Sequence, residues 1–258
     1  TATPSIEAYY NFKNNNFKYY YLSKRFSGFK MPDVKTIDMT KELYGNGKYT
    51  IISDYLKREI QTTIQRNEQV ILLQNRRSFS YIIKCVKCNV FLCCPQCYVS
   101  LKYYKKINIL KCHHCNFTTK FSNYCKKCNT KSISMYGVGT QKLEEILVKL
   151  FPTTKILRYD SDNINRKNNY YKILDDFEKG KAQILIGTQM VAKGLDFKNV
   201  SLVGVINADV GMSIPDFRSG EKNFQLLYQL IGRSGRHKKN SCAIIQTYNI
   251  EDKYIQYS

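Results

Sequence analysis

Apolar residues recur at helical spacing early in the chain. Leu56, Ile60 and Ile64 are four residues apart, which places them on one face of a helix predicted over residues 53–65, with Ser53 as its N-cap. The continuous apolar run at residues 70–73 predicts a short buried strand over 69–74. A helix with one apolar face, followed by a buried strand, is the first unit of an alternation that continues later in the chain.

The same alternation resumes near residue 140. Thr140 is predicted to cap a helix that stops at Pro152, and further helices are predicted at 170–178 and 221–231. Strands are predicted at 156–159, 183–187, 202–207 and 243–247. Strands that alternate with helices favour an α/β fold, in which a parallel sheet carries helices on both faces.

The first 50 residues have a different texture. They are rich in Tyr and Asn and poorly periodic, so we expect the end of another domain followed by a linker. The α/β domain is then predicted to comprise residues 51–84 and 129–258, with residues 85–128 inserted into it.

The charge balance is strongly basic. The 258 residues include 41 Lys or Arg against 20 Asp or Glu, a net charge of +21. A field of this size attracts polyanions such as nucleic acids. Only ten of the basic residues are Arg, and Asn and Tyr are abundant as well. Lys, Asn and Tyr all have AT-rich codons, so codon bias can raise the Lys count without creating a binding site. The alternative is therefore a solvated lysine-rich surface. The apolar runs are far shorter than the about 20 residues of a membrane-spanning helix, and no membrane contact is expected.

Cysteines concentrate in the insertion. Nine of the ten lie between residues 85 and 128, and eight of them form four C-x-x-C pairs. A two-residue spacing lets one turn direct both sulfurs at a single ion, so four pairs predict two Zn²⁺ sites per chain. A disulfide framework and a redox C-x-x-C are the alternatives, but four adjacent pairs favour metal. The eight predicted ligands are Cys85, Cys88, Cys94, Cys97, Cys112, Cys115, Cys125 and Cys128.

The pairs can combine in two ways. Sequential pairing joins 85/88 with 94/97, but only five residues separate Cys88 from Cys94, which is a short closure. Nested pairing joins 94/97 with 112/115 and leaves 85/88 with 125/128 at the base, and we expect this arrangement. His113 and His114 could replace a thiolate but are expected not to bind metal. Cys242 is expected to be an ordinary buried residue.

Three polar segments follow predicted strands or end a helix. They are Asn75-Arg76-Arg77, G-T-Q-M-V-A-K-G-L-D-F at 187–197, and Q-L-I-G-R-S-G-R at 229–236. No G-x-x-x-x-G-K-[ST] phosphate loop is present in the sequence. Arg233 and Arg236 lie three residues apart, and a pair of planar, permanently charged guanidinium groups suits a γ-phosphate. The alternative is that these two arginines only cover a surface.

Together with N-A-D-x-G-x-x-x-P-D-F-R-S-x-E at 207–221, these segments resemble superfamily 2 helicases. With the four C-x-x-C pairs, the chain is similar to the primosomal protein N′ family of replication-restart helicases. The resemblance implies a RecA-like fold: the end of lobe one and a linker at 1–50, lobe two at 51–84 and 129–258, and a two-zinc insertion at 85–128. Residues 1–5 resemble helicase motif III. The phosphate loop and DExH residues of the family would lie upstream, so the chain is expected to be a fragment that is inactive alone.

The resemblance also implies roles for individual residues. Arg236 would act as an arginine finger on the γ-phosphate of ATP, with Arg233 beside it. Gln229, Gly194 and Asp196 would also bind the nucleotide, which is ATP with Mg²⁺ in the intact protein. The residues expected to contact DNA are Thr188, Gln189 and Arg76.

The implied activity is that of an ATP-dependent 3′→5′ DNA helicase that assembles the primosome at stalled forks. Its expected partners are forked or single-stranded DNA, other primosome proteins and single-stranded DNA-binding protein. The expected location is the cytoplasm of a bacterium or a compartment derived from one. The alternative is a non-enzymatic, zinc-dependent module that binds nucleic acid or protein.

Overall fold

A computed structural model gives the architecture of the chain. The structure describes residues 1–22, 31–42, 50–74, 82–85, 87–88, 90, 92–98, 101–104, 107–112, 114–136, 139–160, 167–192, 195–211, 216–234 and 241–258. The helices are α1 Ile6–Lys13, α2 Asp54–Gln65, α3 Thr140–Leu150, α4 Lys167–Glu178, α5 Ser219–Ile231 and α6 Lys253–Gln256. The strands are β1 Asp33–Asp38, β2 Gln69–Leu73, β3 Ile82–Cys85, β4 Lys102–Tyr104, β5 Ile109–Lys111, β6 Thr118–Lys120, β7 Ile133–Tyr136, β8 Ile156–Tyr159, β9 Ile184–Gly187, β10 Val200–Val205 and β11 Cys242–Thr247.

Six strands form the main sheet in the order β1-β11-β10-β2-β9-β8, and neighbouring strands are parallel. Every residue of β2, β9 and β10 is buried. A central strand covered on both faces needs apolar side chains in both directions, which explains its continuous apolar sequence. The predicted α/β fold with a parallel sheet is therefore confirmed.

Helices cover the two faces of this sheet. On one face, Leu56 and Ile60 of α2 pack with Leu143 and Leu147 of α3 against the strands. On the other face, the apolar residues of α4 and α5 form a second core with the strands. The apolar faces of these helices therefore build two cores, one on each side of the sheet.

The N-cap of α2 is the predicted residue, whereas that of α3 is not. The helix α3 has Gly139, not Thr140, at its N-cap. The Thr140 hydroxyl instead donates a hydrogen bond of 2.5 Å to the carboxylate of the buried Asp160. The N-cap of α2 is Ser53, as predicted, and its hydroxyl accepts from the backbone N–H of Leu56.

The N-terminal part of the chain contributes to the main sheet. Strand β1 pairs in parallel with β11 over the full register from Asp33 opposite Cys242 to Asp38 opposite Thr247. The main sheet therefore includes one strand from the first 50 residues, and β1 is its edge strand. The side chains of β1 are exposed or half-buried, so this strand lacks the apolar run that marks the central ones. The assignment of residues 1–50 to another lobe stays a prediction.

The inserted segment forms a small module between β2 and β8. At its base, β3 and β7 pair antiparallel from Ile82 opposite Tyr136 to Cys85 opposite Ile133. Beyond them, β4, β5 and β6 form a three-stranded antiparallel sheet around a small core. The insertion thus extends slightly beyond 85–128, since most of its basal pair of strands is outside that range. Among the described residues, no helix combines the length and apolarity needed to cross a membrane.

Candidate functional site

The eight predicted cysteine ligands form two groups of four. One group is Cys94, Cys97, Cys112 and Cys115, and within each group the sulfur atoms lie within 4.8 Å of one another. This is the nested grouping, not the sequential one. The other group lies at the base of the insertion and comprises Cys85, Cys88, Cys125 and Cys128.

The spacing of the sulfurs fits a tetrahedral zinc ion. Metal–sulfur bonds of about 2.3 Å give sulfur–sulfur edges of about 3.8 Å. The Sγ atoms of Cys85 and Cys128 are 3.5 Å apart, as are those of Cys88 and Cys125 in the same group. Four thiols at this spacing leave no open coordination position, which is typical of a structural site. Each group can therefore hold one metal ion.

Tight turns bring the C-x-x-C pairs into this geometry. The residue after three of the pairs has a positive φ: 56° at Tyr98, 60° at Asn116 and 51° at Asn129. Asn adopts the left-handed region readily, whereas Tyr does so at a cost. The two asparagines are thus suited to these turns, whereas Tyr98 is an exception.

Hydrogen bonds lower the pKa of Cys128 and Cys85 in the basal group and of Cys112 in the other group. At Cys85, burial opposes ionisation, but hydrogen bonds from the Ser132 hydroxyl and the Cys88 backbone outweigh it and lower the pKa to about 6. At Cys112, backbone hydrogen bonds from Cys115 and His114 lower the pKa to about 7 despite burial. The pKa of Cys97 is raised to about 12 because its thiol donates to Cys115 and is also desolvated. A bound divalent cation would offset the repulsion between neighbouring thiolates, so all four thiols of a group could then ionise.

At the end of β9, the chain continues from Gly187 into a short 3-10 helix, Gln189–Ala192. A Cβ added to Gly187 would lie 2.1 Å from Cγ1 of Val191 and 2.9 Å from the carbonyl oxygen of Tyr159, so this turn requires Gly. Thr188 is buried, and its hydroxyl has no hydrogen-bond partner within the described part of the chain. Gln189, by contrast, is exposed, and the contact of both residues with DNA stays a prediction.

Arg233 joins this segment to the end of α5. Its Nη2 and Nε atoms donate to the carbonyl oxygen of Ala192 at 2.7 and 3.1 Å, and its Nη1 donates to the carbonyl oxygen of Leu195. The guanidinium therefore contacts backbone here, and its contact with ATP stays a prediction. Gln229 is half-buried on α5, and Asp196 is exposed beside Leu195. Three further predicted site residues lie outside the described residues: Arg76, Gly194 and Arg236.

Two residues outside the predicted site form hydrogen bonds near the carboxyl ends of β10 and β11. Asp209 accepts hydrogen bonds from the Thr247 hydroxyl at 2.6 Å and the Tyr248 backbone at 2.8 Å, which ties the end of β10 to the end of β11. Gln246 is buried and accepts from the backbone of Ser53 at 2.8 Å. Asp209 belongs to the N-A-D motif at 207–209, so the sequence offered a signal for it. Gln246 belongs to none of the motifs.

The D-F-R-S-x-E segment contacts the N-terminal helix. Arg218 forms an ion pair with Glu7 of α1, and Glu221 accepts a hydrogen bond of 3.1 Å from the backbone of Ile6. The sequence assigned no role to Arg218 or Glu221. The structure places them in a contact between α1 and the start of α5.

A parallel α/β sheet with helices on both faces, interrupted by a Cys-rich module, defines the class of this chain as a RecA-like lobe with an inserted metal module. Residues 105–238, just over half of the chain, match the family described as helicase conserved C-terminal domain. The chain therefore belongs to this helicase family.

Two curated proteins and one solved structure illustrate what the chain is similar to. The replication restart protein PriA of Bacillus subtilis (strain 168) is 42% identical over 256 residues, which cover 99% of this chain and 32% of that protein. That of Borreliella burgdorferi is 41% identical over 258 residues, covering 100% and 38%. The chain thus spans about a third of the length of these curated relatives. The structure of S. cerevisiae Dbp5 bound to RNA and ADP BeF3 has 14% identity and a TM-score of 0.46, covering 100% of this chain and 46% of that one.

The expected similarity to replication-restart helicases is confirmed by these relatives.

Proposed function

We propose that the chain is the second lobe of an ATP-dependent DNA helicase of replication restart. The observation that carries this proposal is the contact of Arg233 with the backbone of Ala192 and Leu195. It joins the two segments that the resemblance assigns to the ATP site, one after β9 and one after α5. Two separate loops held together at a sheet edge form a surface that can close on a nucleotide from one side.

The chemistry of this surface rests on arginine. Arg236 stabilises the negative charge that develops on the γ-phosphate, and the guanidinium group is suited to this because it stays charged and donates in a planar fork. Arg233 holds Ala192 and Leu195 through their carbonyl oxygens, and Gln229, Asp196 and Gly194 are proposed to bind the nucleotide in the closed site. Another lobe supplies the phosphate loop and the Mg²⁺ ligands.

The proposed helicase holds the DNA strand through contacts that do not depend on the base sequence. Gln189 is exposed at the start of the turn after β9 and can donate to a phosphate. Thr188 reaches the strand only if the turn rearranges, since it is buried here. Arg76 is the third proposed DNA contact, and the net charge of +21 favours the same ligand.

The two cysteine groups are proposed to bind one Zn²⁺ each. Zinc supplies the cross-links that a module with so small an apolar core needs in order to fold. Sites of four cysteines without an open position are structural, so neither zinc takes part in hydrolysis.

The proposed whole protein translocates 3′→5′ and loads primosome proteins at stalled forks in the cytoplasm of a bacterium or of a compartment derived from one. Single-stranded DNA-binding protein is a further proposed partner. The similarity to the PriA relatives supports this proposal.

A strand-displacement assay with the full-length protein tests it. Forks whose single-stranded arm ends in 3′ or in 5′ distinguish the polarity, and unwinding is expected only when the motor loads on the strand that it follows 3′→5′. The 258 residues alone are expected to show no DNA-stimulated ATP hydrolysis. Hydrolysis by the chain alone contradicts the one-sided ATP site.

A second candidate function is favoured by the two cysteine groups and the basic charge. The chain would then be a zinc-dependent module that binds nucleic acid without hydrolysing ATP. Loss of DNA binding after zinc removal, in a full-length protein without ATPase activity, distinguishes this function from the first.

A further inference from the structure

Two hydroxyl groups lie against the sulfurs of the basal cysteine group. The Ser132 Oγ is 2.9 Å from Sγ of Cys85, and the Thr130 Oγ1 is 3.0 Å from Sγ of Cys128. The two hydroxyl oxygens are 2.6 Å apart. Both side chains are half-buried, so water competes only partly for these hydrogen bonds.

The backbone fixes the position of both hydroxyls. The carbonyl oxygen of Thr130 accepts from the backbone N–H of Cys125 at 3.0 Å and from that of Ser132 at 2.9 Å. The loop that carries the hydroxyls is therefore tied to the same C-x-x-C turn that supplies two of the ligands.

The direction of the hydrogen bonds follows from the chemistry of a metal ligand. A zinc-bound cysteine is a thiolate, which has no proton to donate. Each hydroxyl has one proton, and the two oxygens are 2.6 Å apart, so one hydroxyl can donate to a sulfur while it accepts from the other. A Zn²⁺ ion with four thiolates carries a net charge of about −2, and donated hydrogen bonds stabilise that charge.

The other cysteine group has a different environment. The Sγ of Cys112 accepts from the backbone N–H of His114 at 3.4 Å. Within the described residues, no side-chain hydroxyl contacts the sulfurs of this group. Its neighbours are mainly apolar: Ile83, Leu92, Leu101, Leu110, Phe117 and Phe121.

We propose that Thr130 and Ser132 are positioning residues that make the two zinc sites inequivalent. They orient the Cys85 and Cys128 thiolates and stabilise their charge, so the basal zinc is held more tightly and released more slowly than the outer one. Outer-shell partners of this kind contribute about 10–100-fold in metal affinity. The inference rests on zinc binding by both groups.

The test follows zinc transfer from the loaded chain to an excess of chelator that changes absorbance on binding. Two phases of equal amplitude are expected, and the slow phase is assigned to the basal site by its loss in Cys128→Ser. Ser132→Ala and Thr130→Val are expected to accelerate the slow phase about 10–100-fold and to leave the fast phase unchanged. Ser132→Thr keeps a hydroxyl and is expected to keep the slow phase. Thr118→Val, which removes an exposed hydroxyl on β6, is the matched control.

Cobalt substitution supplies a readout that a merely structural role does not change. The sulfur-to-cobalt charge-transfer band of the basal site is expected to shift in Ser132→Ala and to stay in place in Ser132→Thr. Equal release rates for both zincs in the unaltered chain, or a slow phase unaffected in the double variant Thr130→Val/Ser132→Ala, overturn the inference. Binding of fewer than two zincs by the unaltered chain contradicts the zinc proposal itself.

Discussion

The guanidinium of Arg233 donates to the carbonyl oxygen of Ala192 at 2.7 Å, although the two residues are 41 positions apart. This contact ties the residue after α5 to the turn after β9. At the opposite end of α5, about 20 Å away for a helix of 13 residues, Arg218 pairs with Glu7 of α1. Helix α5 thus connects the N-terminal helix to the surface proposed to face ATP.

Replacing Arg233 by Lys is expected to destabilise the chain. A single ammonium cannot donate to both carbonyls in the planar geometry of a guanidinium, so at least one charge-assisted hydrogen bond is lost. Urea unfolding is expected to show a loss of about 1–3 kcal/mol. The control is Arg66→Lys, at an exposed site after α2. Equal stabilities of the two variants contradict the role of Arg233 as a clamp.

The ion pair between Glu7 and Arg218 is expected to control how firmly α1 is docked. None of the eight residues of α1 is buried, so polar contacts provide much of its attachment. Arg218→Glu is expected to speed hydrogen exchange of the α1 amides, because it places two carboxylates together. The double variant Glu7→Arg/Arg218→Glu restores the attraction and is expected to restore protection.

The exposed pair of Lys142 and Glu145 on α3 serves as the control for these charge changes. Its reversal changes the same charges away from α1 and is expected to leave exchange in α1 unchanged. If the double variant exchanges as fast as Arg218→Glu, the ion pair does not hold the helix.

Tyr98 is expected to be a site where substitution stabilises the metal module. Its φ of 56° is left-handed, and its side chain is 82% exposed. Tyr98→Asn is expected to relieve about 1 kcal/mol of backbone strain while giving up little packing. Thermal unfolding of the zinc-loaded chain measures the gain. Tyr124→Asn, at another exposed tyrosine of the insertion without a positive φ, is expected to show no comparable increase.

Gly187 is expected to tolerate no side chain. An added Cβ meets Val191 and the backbone of Tyr159, so Gly187→Ala is expected to destabilise the chain by about 1–3 kcal/mol in urea unfolding. Gly180→Ala is the comparison, since that position has φ 73° and open space around it. At Gly180 the expected loss of stability comes only from the backbone strain of Ala at a positive φ. The double variant Gly187→Ala/Val191→Ala is expected to recover part of the loss, and a complete recovery contradicts the contact with the Tyr159 carbonyl.

The sequence predicted the central strands better than the edge. Strands β2 and β9 are buried on both faces, and burial imposes an apolar run that can be read directly. Strand β1 lies at the edge with exposed and half-buried side chains, so its sequence D-V-K-T-I-D carries no comparable constraint. Its place in the sheet depends on pairing with β11, at the far end of the chain, which no local pattern encodes.

The candidate sites show the same contrast. The nested cysteine groups could be predicted because ligand type and loop length are both local properties of the sequence. The partners of Arg233 could not, because they are backbone carbonyls that only the folded chain brings together. Thr188 was expected to contact DNA from its motif, but the packing of the turn after β9 buries it. Motif identity thus marks a segment, and the fold decides which side chains of that segment reach a ligand.

The DNA-stimulated ATPase rate of the full-length protein with Arg236→Ala tests whether this chain completes the ATP site. A control variant, Arg66→Lys, lies outside the proposed site. Hydrolysis is expected to fall by about 10³–10⁵-fold in Arg236→Ala, with DNA binding and zinc content retained. Full ATPase activity in that variant would contradict the claim that this chain completes the ATP site.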